Sequence, residues 1–421
     1  MTSQNASPDD FDRLMRQWMD ADARVREPDH LFETVIERTR RARRIPGWLL
    51  PERWIPMQLT MRLQPIPRLV PVLLLIIALV LVSAALVIGI GSWKPLPAPF
   101  GSARNGLLAY DTNAAIFVSN ADGTGARPLV ASVPNAAAAA FSQDGTKVAF
   151  WGDGSPDSLY VANVDGSGVR KVSGDLWIGT DRPATWSPDG RSIAFSSESG
   201  ANVHDERIYV VDVTSQVARP IAITQSDAVR AFMPAWSPDG KWIAFIGLTS
   251  PTSGGKIWIV SPDGTESRAL PTTGAIEGTQ PQWAPSVAPL RLAYAQAAAI
   301  DEQQDIYVLD LSTGIETAIS SDPANERWPT WSPDGTRLAW LVGDAPPQLR
   351  IAQTDRPTSS VTLASDFMDN PPGWSPDGTK VYAANQTRST VIVVTVDGSA
   401  PNERFDHDRG QGLPAWQRLA P

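Results

Sequence analysis

The chain has 421 residues, a net charge of −9, no cysteine and only three histidines, His30, His204 and His407, far apart. This excludes disulfides, thiolate chemistry and every Cys-containing zinc site, and no H-x-x-x-H pair offers a zinc hydrolase centre. The acidic balance argues against nucleic acid as a partner, and 37 Pro, 31 Gly and 16 Trp beside a charged fraction of 19% predict many short strands rather than long helices.

Charge divides the chain into three parts. Residues 1–68 hold 12 Arg, no Lys and 10 acids; residues 69–93 hold no charge; residues 94–421 carry a net −11. Ser7 before Pro8, with Asp10 behind, predicts a helix start. Phe11, Leu14, Met15, Trp18 and Met19 then fall on one helical face. A second helix is predicted from Asp29, carrying Leu31, Phe32, Val35 and Ile36 into five arginines between 38 and 44. Residues 45–57, IPGWLLPERWIPM, place Trp48 and Trp54 among apolar residues and suit a bilayer headgroup layer. The alternative is that residues 1–57 dock a cytoplasmic partner. Arginine-rich amphipathic segments beside an apolar span favour lipid.

From Leu69 to Trp93 the chain reads LVPVLLLIIALVLVSAALVIGIGSW, 25 uncharged residues. As a helix this stretch spans about 38 Å, enough for a hydrocarbon core of about 30 Å. Eight arginines from Arg38 to Arg68 precede it, and only Lys94 follows closely. The positive-inside rule then puts the N-terminus in the cytoplasm and the remainder outside a plasma membrane. Residues 94–105 read as a Pro-rich linker.

Residues 106–419 are a repeat. Ser-Pro-Asp-Gly stands at 187–190, 237–240, 332–335 and 375–378, with Ser-Gln-Asp-Gly at 142–145 and a degenerate Ala-Pro-Ser-Val at 284–287. An aromatic precedes each: Phe141, Trp186, Trp236, Trp283, Trp331 and Trp374. Trp416 makes a seventh without the turn. The spacing averages about 46 residues, the length of a four-stranded propeller blade. Apolar runs such as Ile193-Ala194-Phe195 follow each turn, and alternating strands such as IYVVDVTS at 208–215 follow those. In the turn, Pro presets φ, Asp tolerates the second corner and Gly takes φ > 0. Gly190, Gly240, Gly335 and Gly378 are therefore structural. So are Asp189, Asp239, Asp334 and Asp377, which the turn itself requires rather than a bound Ca²⁺. The first unit lacks an opening strand, and Trp416 is an opening strand with nothing after it. Pairing them predicts an all-β propeller of seven four-stranded blades with both termini in one blade, so that no sheet edge stays open.

The run Trp-Ser-Pro-Asp-Gly-x-x-Ile-Ala-Phe followed by Ile-Tyr-Val-x-Asp resembles the WD-repeat-like propeller repeat of the TolB type, over about three quarters of the chain. The resemblance implies an external protein-binding module or a gating domain like those of propeller serine peptidases. The TolB propeller has six blades, so the seven-fold count is a departure.

No G-x-S-x-G elbow, phosphate loop or dinucleotide fingerprint occurs. The expectation is therefore a binding module, not an enzyme, without catalytic residues, cofactor or metal. Polar residues just before each Pro-x-Trp are expected at the channel mouth: Asp181, Arg182, Arg230, Glu277, Glu326, Arg327, Asp369, Asn370, Arg409 and Gln411. Their mixed charge suits a protein, a peptide or an envelope polymer. Two alternatives stand beside this. One is a transmembrane regulator with an anti-sigma-type cytoplasmic segment. The other is a propeller enzyme with its site in the central funnel.

Overall fold

The computed structural model describes residues 101–419 apart from 113–114, 153–157, 175, 177–183, 199–205, 216, 222–229, 251–252, 277, 301, 345, 357–358, 366, 368–369, 386–389, 400–401 and 407–413. The helices expected in residues 1–68, the apolar span 69–93 and most of the linker lie outside the described residues. Among the described residues no helix is long and apolar enough to cross a membrane.

The described residues form seven four-stranded antiparallel blades. Blade 1 joins Ala415–Leu419 to Arg104–Asp111, Ile116–Ser119 and Arg127–Val130. Blades 2 to 7 follow at 137–171, 185–220, 230–269, 282–318, 326–365 and 373–406. Within each, the chain runs from the innermost strand outward. The first strands of neighbouring blades touch all the way round, blade 7 to blade 1 included, so the ring is closed. Arg104 and Asn105, expected in the linker, already belong to blade 1.

Closure takes the predicted form. Leu108 lies opposite Trp416, and Ala109 opposite Ala415. The Asn105 amide donates to the Asp377 carboxylate at 2.8 Å, and the Asp377 N–H returns a bond at 3.1 Å, fastening blade 1 to the turn of blade 7. On the other flank, Gln417 Nε2 donates to the Gly145 carbonyl of blade 2 at 2.7 Å.

Each second strand is buried on both faces, which is why it reads as an apolar run; Ile193, Ala194 and Phe195 are inaccessible to solvent. Apolar cores fill the seven interfaces between blades. The turns lock locally. Each Ser hydroxyl donates to its Asp at 2.5–2.6 Å, and that carboxylate also accepts the N–H two residues on. The Gly φ angles, +66° to +73°, are those the sequence demands.

The repeat tryptophans stitch blades together. Trp186, Trp283, Trp331 and Trp374 donate their indole N–H to the inner-strand carbonyls of Ala140, Ala235, Gln282 and Thr330 in the preceding blade, at 2.9–3.1 Å. Each of these bonds joins the innermost strands of two neighbouring blades. The Trp236 and Trp416 indoles are buried with their N–H unpartnered. Arg291 and Arg337 reach forward instead: each guanidinium lies 4.9 Å from the ring of the next Trp and donates to the next turn's Gly carbonyl at 3.0 Å. Blade 4 departs from this scheme. Blade 5 has no turn glycine to meet, and Trp242 takes the cation's place, packing with Leu290 on the core between these blades.

Candidate binding face

Inner strands begin at the end of the propeller opposite the Ser-Pro-Asp-Gly turns. Of the residues expected there, Asp181, Arg182, Glu277, Asp369, Arg409 and Gln411 lie outside the described residues. Arg230, Glu326, Arg327 and Asn370 are described. Asn370 sits in a bend, half-buried, just before blade 7.

Arg230 opens the inner strand of blade 4 and pairs at 3.0 Å with buried Glu206, which opens the third strand of blade 3. The pair spans the interface, and the guanidinium lies 5.7 Å from the Phe232 ring. Arg327 donates to Asp344 and to the Gly343 carbonyl, both at 3.0 Å, and so ties the inner strand of blade 6 to the hairpin beside it.

Glu326 is placed differently from the expectation: it is 0% exposed, not open to the mouth. Its carboxylate accepts the Trp340 indole N–H at 2.8 Å and the Ser320 hydroxyl. Burial pushes this carboxyl up to about 8; the Trp340 bond works against the shift, while the nearby Asp305 and Asp322 charges add to it. Asp322 is held low by the Arg350 guanidinium, and Asp344 by Arg327. Asp305 is raised by burial, with the Asp322 charge adding to it.

The inner strands are also strained here. Met233 (φ +55°) and Trp328 (φ +59°) are left-handed, each before a proline, and Ala138 (φ +52°) takes the same place in blade 2. Each coincides with a bulge in the ladder to the second strand. Bulky side chains rarely adopt this backbone, and bulges re-aim their neighbours. Trp328 stays partly exposed while packing against the blade 4/5 and blade 6/7 cores.

The structure thus brings Glu326 and Arg327 together with Asp305, Asp322, Asp344 and Arg350, none of which the sequence singled out. These four stand at strand starts or in loops that carry no motif. Their only signal is polarity flanking an apolar run. Among the described residues no three His, Cys, Asp or Glu side chains are grouped to hold a metal.

Solved structures share the fold. TolB from Acinetobacter baumannii matches at 17% identity with a TM-score of 0.48, covering 73% of this chain and 81% of that one. An oligogalacturonate lyase from Vibrio parahaemolyticus matches at 15% identity and 0.50, covering 71% and 92%. A prolyl endopeptidase matches at 15% identity and 0.50, covering 73% and 50%. The expectation that the chain is not an enzyme is thereby overturned: propeller enzymes share this architecture. A site assembled from loops of several blades leaves no contiguous motif, so missing signatures exclude nothing. Uncharacterized protein Atu1656 of Agrobacterium fabrum is 30% identical over 196 residues, which cover 44% of this chain and 61% of that protein. The TolB beta propeller domain model matches residues 102–286 and 205–420, and the chain belongs to that family.

Proposed function

We propose that the protein is a membrane-tethered propeller that binds a protein, peptide or envelope ligand outside the cytoplasm, through the face where its inner strands begin. The observations that carry this reading are the ion pairs Arg230–Glu206, Arg327–Asp344 and Arg350–Asp322 and the left-handed, partly exposed Trp328. Mixed charge with one partly exposed aromatic on rigid strands fits a polar partner with an apolar anchor. Family membership supports a protein partner. A photo-crosslinking residue placed at Arg327 in membranes should yield an adduct, whereas one at Asp239 on the turn face should not. Equal labelling at both positions refutes the assignment of the face.

The tether rests on the apolar run 69–93 and its arginine flank. External protease on spheroplasts should digest the propeller and spare residues 1–68; a protected propeller reverses the topology. The same flank supports a second reading, a regulator with a cytoplasmic partner on residues 1–57. Deleting those residues should then change transcriptional output.

A further inference from the structure

Residues 319–326 carry the chain from the outermost strand of blade 5 to the innermost strand of blade 6. They are fastened to both. The Ile319 N–H donates to the Ile306 carbonyl at 2.7 Å, and the Ser320 hydroxyl accepts the Ile306 N–H at 3.0 Å. Gln303 donates to the Asp322 carbonyl, and Asn325 Oδ1 accepts the Gln304 N–H at 3.1 Å. On the blade 6 side, Arg350 holds the Asp322 carboxylate, the Gly343 N–H donates to the Asn325 carbonyl at 2.8 Å, and Asn325 Nδ2 reaches Asp344 at 3.3 Å.

Glu326 closes the segment, and its surroundings suit a neutral carboxyl. Both its partners are uncharged: the Trp340 indole N–H donates to one oxygen, and the Ser320 hydroxyl oxygen beside the other accepts the proton of a neutral carboxyl. Arg350, a cation that acts on it, is already engaged by Asp322. Asp305 faces it from the third strand of blade 5 and Asp322 from the segment itself, both carboxylates; Arg327 and Asp344 are paired alongside. An ionised carboxylate with neutral donors, no solvent and two like charges lacks compensation, and exposure to water relieves it. Beside the seat, Gln304 is buried with its Oε1 unpartnered, so the closed arrangement is not fully satisfied.

We propose that residues 319–326 are a proton-operated latch on the binding face, seated between blades 5 and 6 while the Glu326 carboxyl is protonated and lifted when that proton leaves to solvent. Acid holds the latch shut; rising pH opens it. Opening frees Asp322, Asn325 and Arg350 from one another and so changes what the face offers a partner. The inference rests on the reading of this face as the binding surface, but its test needs no partner.

Hydrogen exchange of the full-length chain in detergent, corrected for the intrinsic pH dependence of exchange, reads the latch directly. With one linked proton, protection of amides 319–326 should fall about tenfold per pH unit from about pH 5 to 8, then level off. Amides of the blade 2 inner strand, residues 137–141, should show no such slope. Glu326→Gln should abolish the slope in 319–326. Asp305→Asn removes one like charge without touching the bonds to Glu326, and should move the levelling-off to lower pH. A flat wild-type profile, an unchanged slope in Glu326→Gln, or an unmoved levelling-off in Asp305→Asn overturns the latch. A failed cross-link at Arg327 removes the binding reading and leaves the latch standing.

Discussion

Trp416→Ala tests closure of the ring through one side chain. Trp416 is 7% exposed and packs with Leu108, Tyr110, Tyr382, Val391 and Val393, its ring centroid 6.3 Å from that of Tyr382. A buried Trp removes roughly 150–250 Å² from water, and truncation to Ala costs about 3–5 kcal/mol. Its indole N–H has no partner, so losing it relieves about 1 kcal/mol. The net loss should be about 3 kcal/mol. Trp374→Ala is the control, because it also loses the indole bond to the Thr330 carbonyl. It should cost about 5 kcal/mol. With an unfolding entropy of about 2.1 cal/mol/K per residue over roughly 320 residues, these become Tm losses of about 4–5 °C and 7 °C. Scanning calorimetry of the two variants measures both. An unchanged Tm for Trp416→Ala, or a loss equal to that of Trp374→Ala, refutes the packing argument. Truncation after Asp408 removes the whole strand and should abolish cooperative unfolding. A monomeric truncation with an unchanged melting curve would mean that Ala415–Leu419 does not close the ring.

Other outcomes follow from the same geometry. Gly240→Val should lose more than about 1 kcal/mol from backbone strain alone, since a Cβ there meets nothing nearer than Pro188 at 3.8 Å. Gly145→Ala should lose more, because its Cβ would lie 2.2 Å from the Arg418 carbonyl across the blade 1/2 seam; denaturant melts that rank the two the other way contradict this. Trp328→Asn gives up packing but relieves a left-handed backbone, so it should cost less than Trp331→Ala, and equal costs would argue against strain. The folded pKa of Glu326 lies above its unfolded value, so the folded state keeps the proton longer, and stability falls as pH rises from about 4.5 to about 8. Glu326→Gln should therefore raise Tm at pH 8 relative to wild type and narrow the difference between pH 5 and pH 8. Parallel pH profiles for the two proteins would refute that linkage.

The ring was legible in the sequence because its turn chemistry is strict. Only Gly suits φ near +70° after Pro-Asp, so Gly190, Gly240, Gly335 and Gly378 mark blade positions unambiguously. Pairing the first unit with Trp416 followed from counting strands. The candidate binding face was less legible. Glu326 and Arg327 share one local pattern before Pro-x-Trp, yet one is sealed beneath Trp340 and Ser320 and the other reaches a hairpin. Burial of a polar residue depends on which blade lies beside it, and sequence distance hides that. Asp322 and Arg350 are 28 residues apart and meet only because blade 6 folds back on its own entry loop. The expectation of no enzyme failed for a related reason: a motif search sees contiguous residues, and the fold is shared with propeller enzymes whatever motifs the chain lacks.

Blade 1 also fixes an order of events in folding. Its three outer strands are the first of the domain in the chain and its innermost strand the last, so the Leu107 N–H meets Gln417 across a separation of 310 residues. The other blades close within about fifty residues. Joining ends that distant costs roughly 5 kcal/mol of loop-closure entropy, incurred in a single late step. Until then Arg104–Asp111 waits with its inner edge unpaired, beside a turn in blade 7 that Asn105 has yet to clasp. The nascent domain therefore passes through a state with an exposed strand edge that a second chain can occupy. Strand exchange at this seam is the misfolding route that such an open edge invites, and the clasps from Asn105 and Gln417 favour closure within one chain.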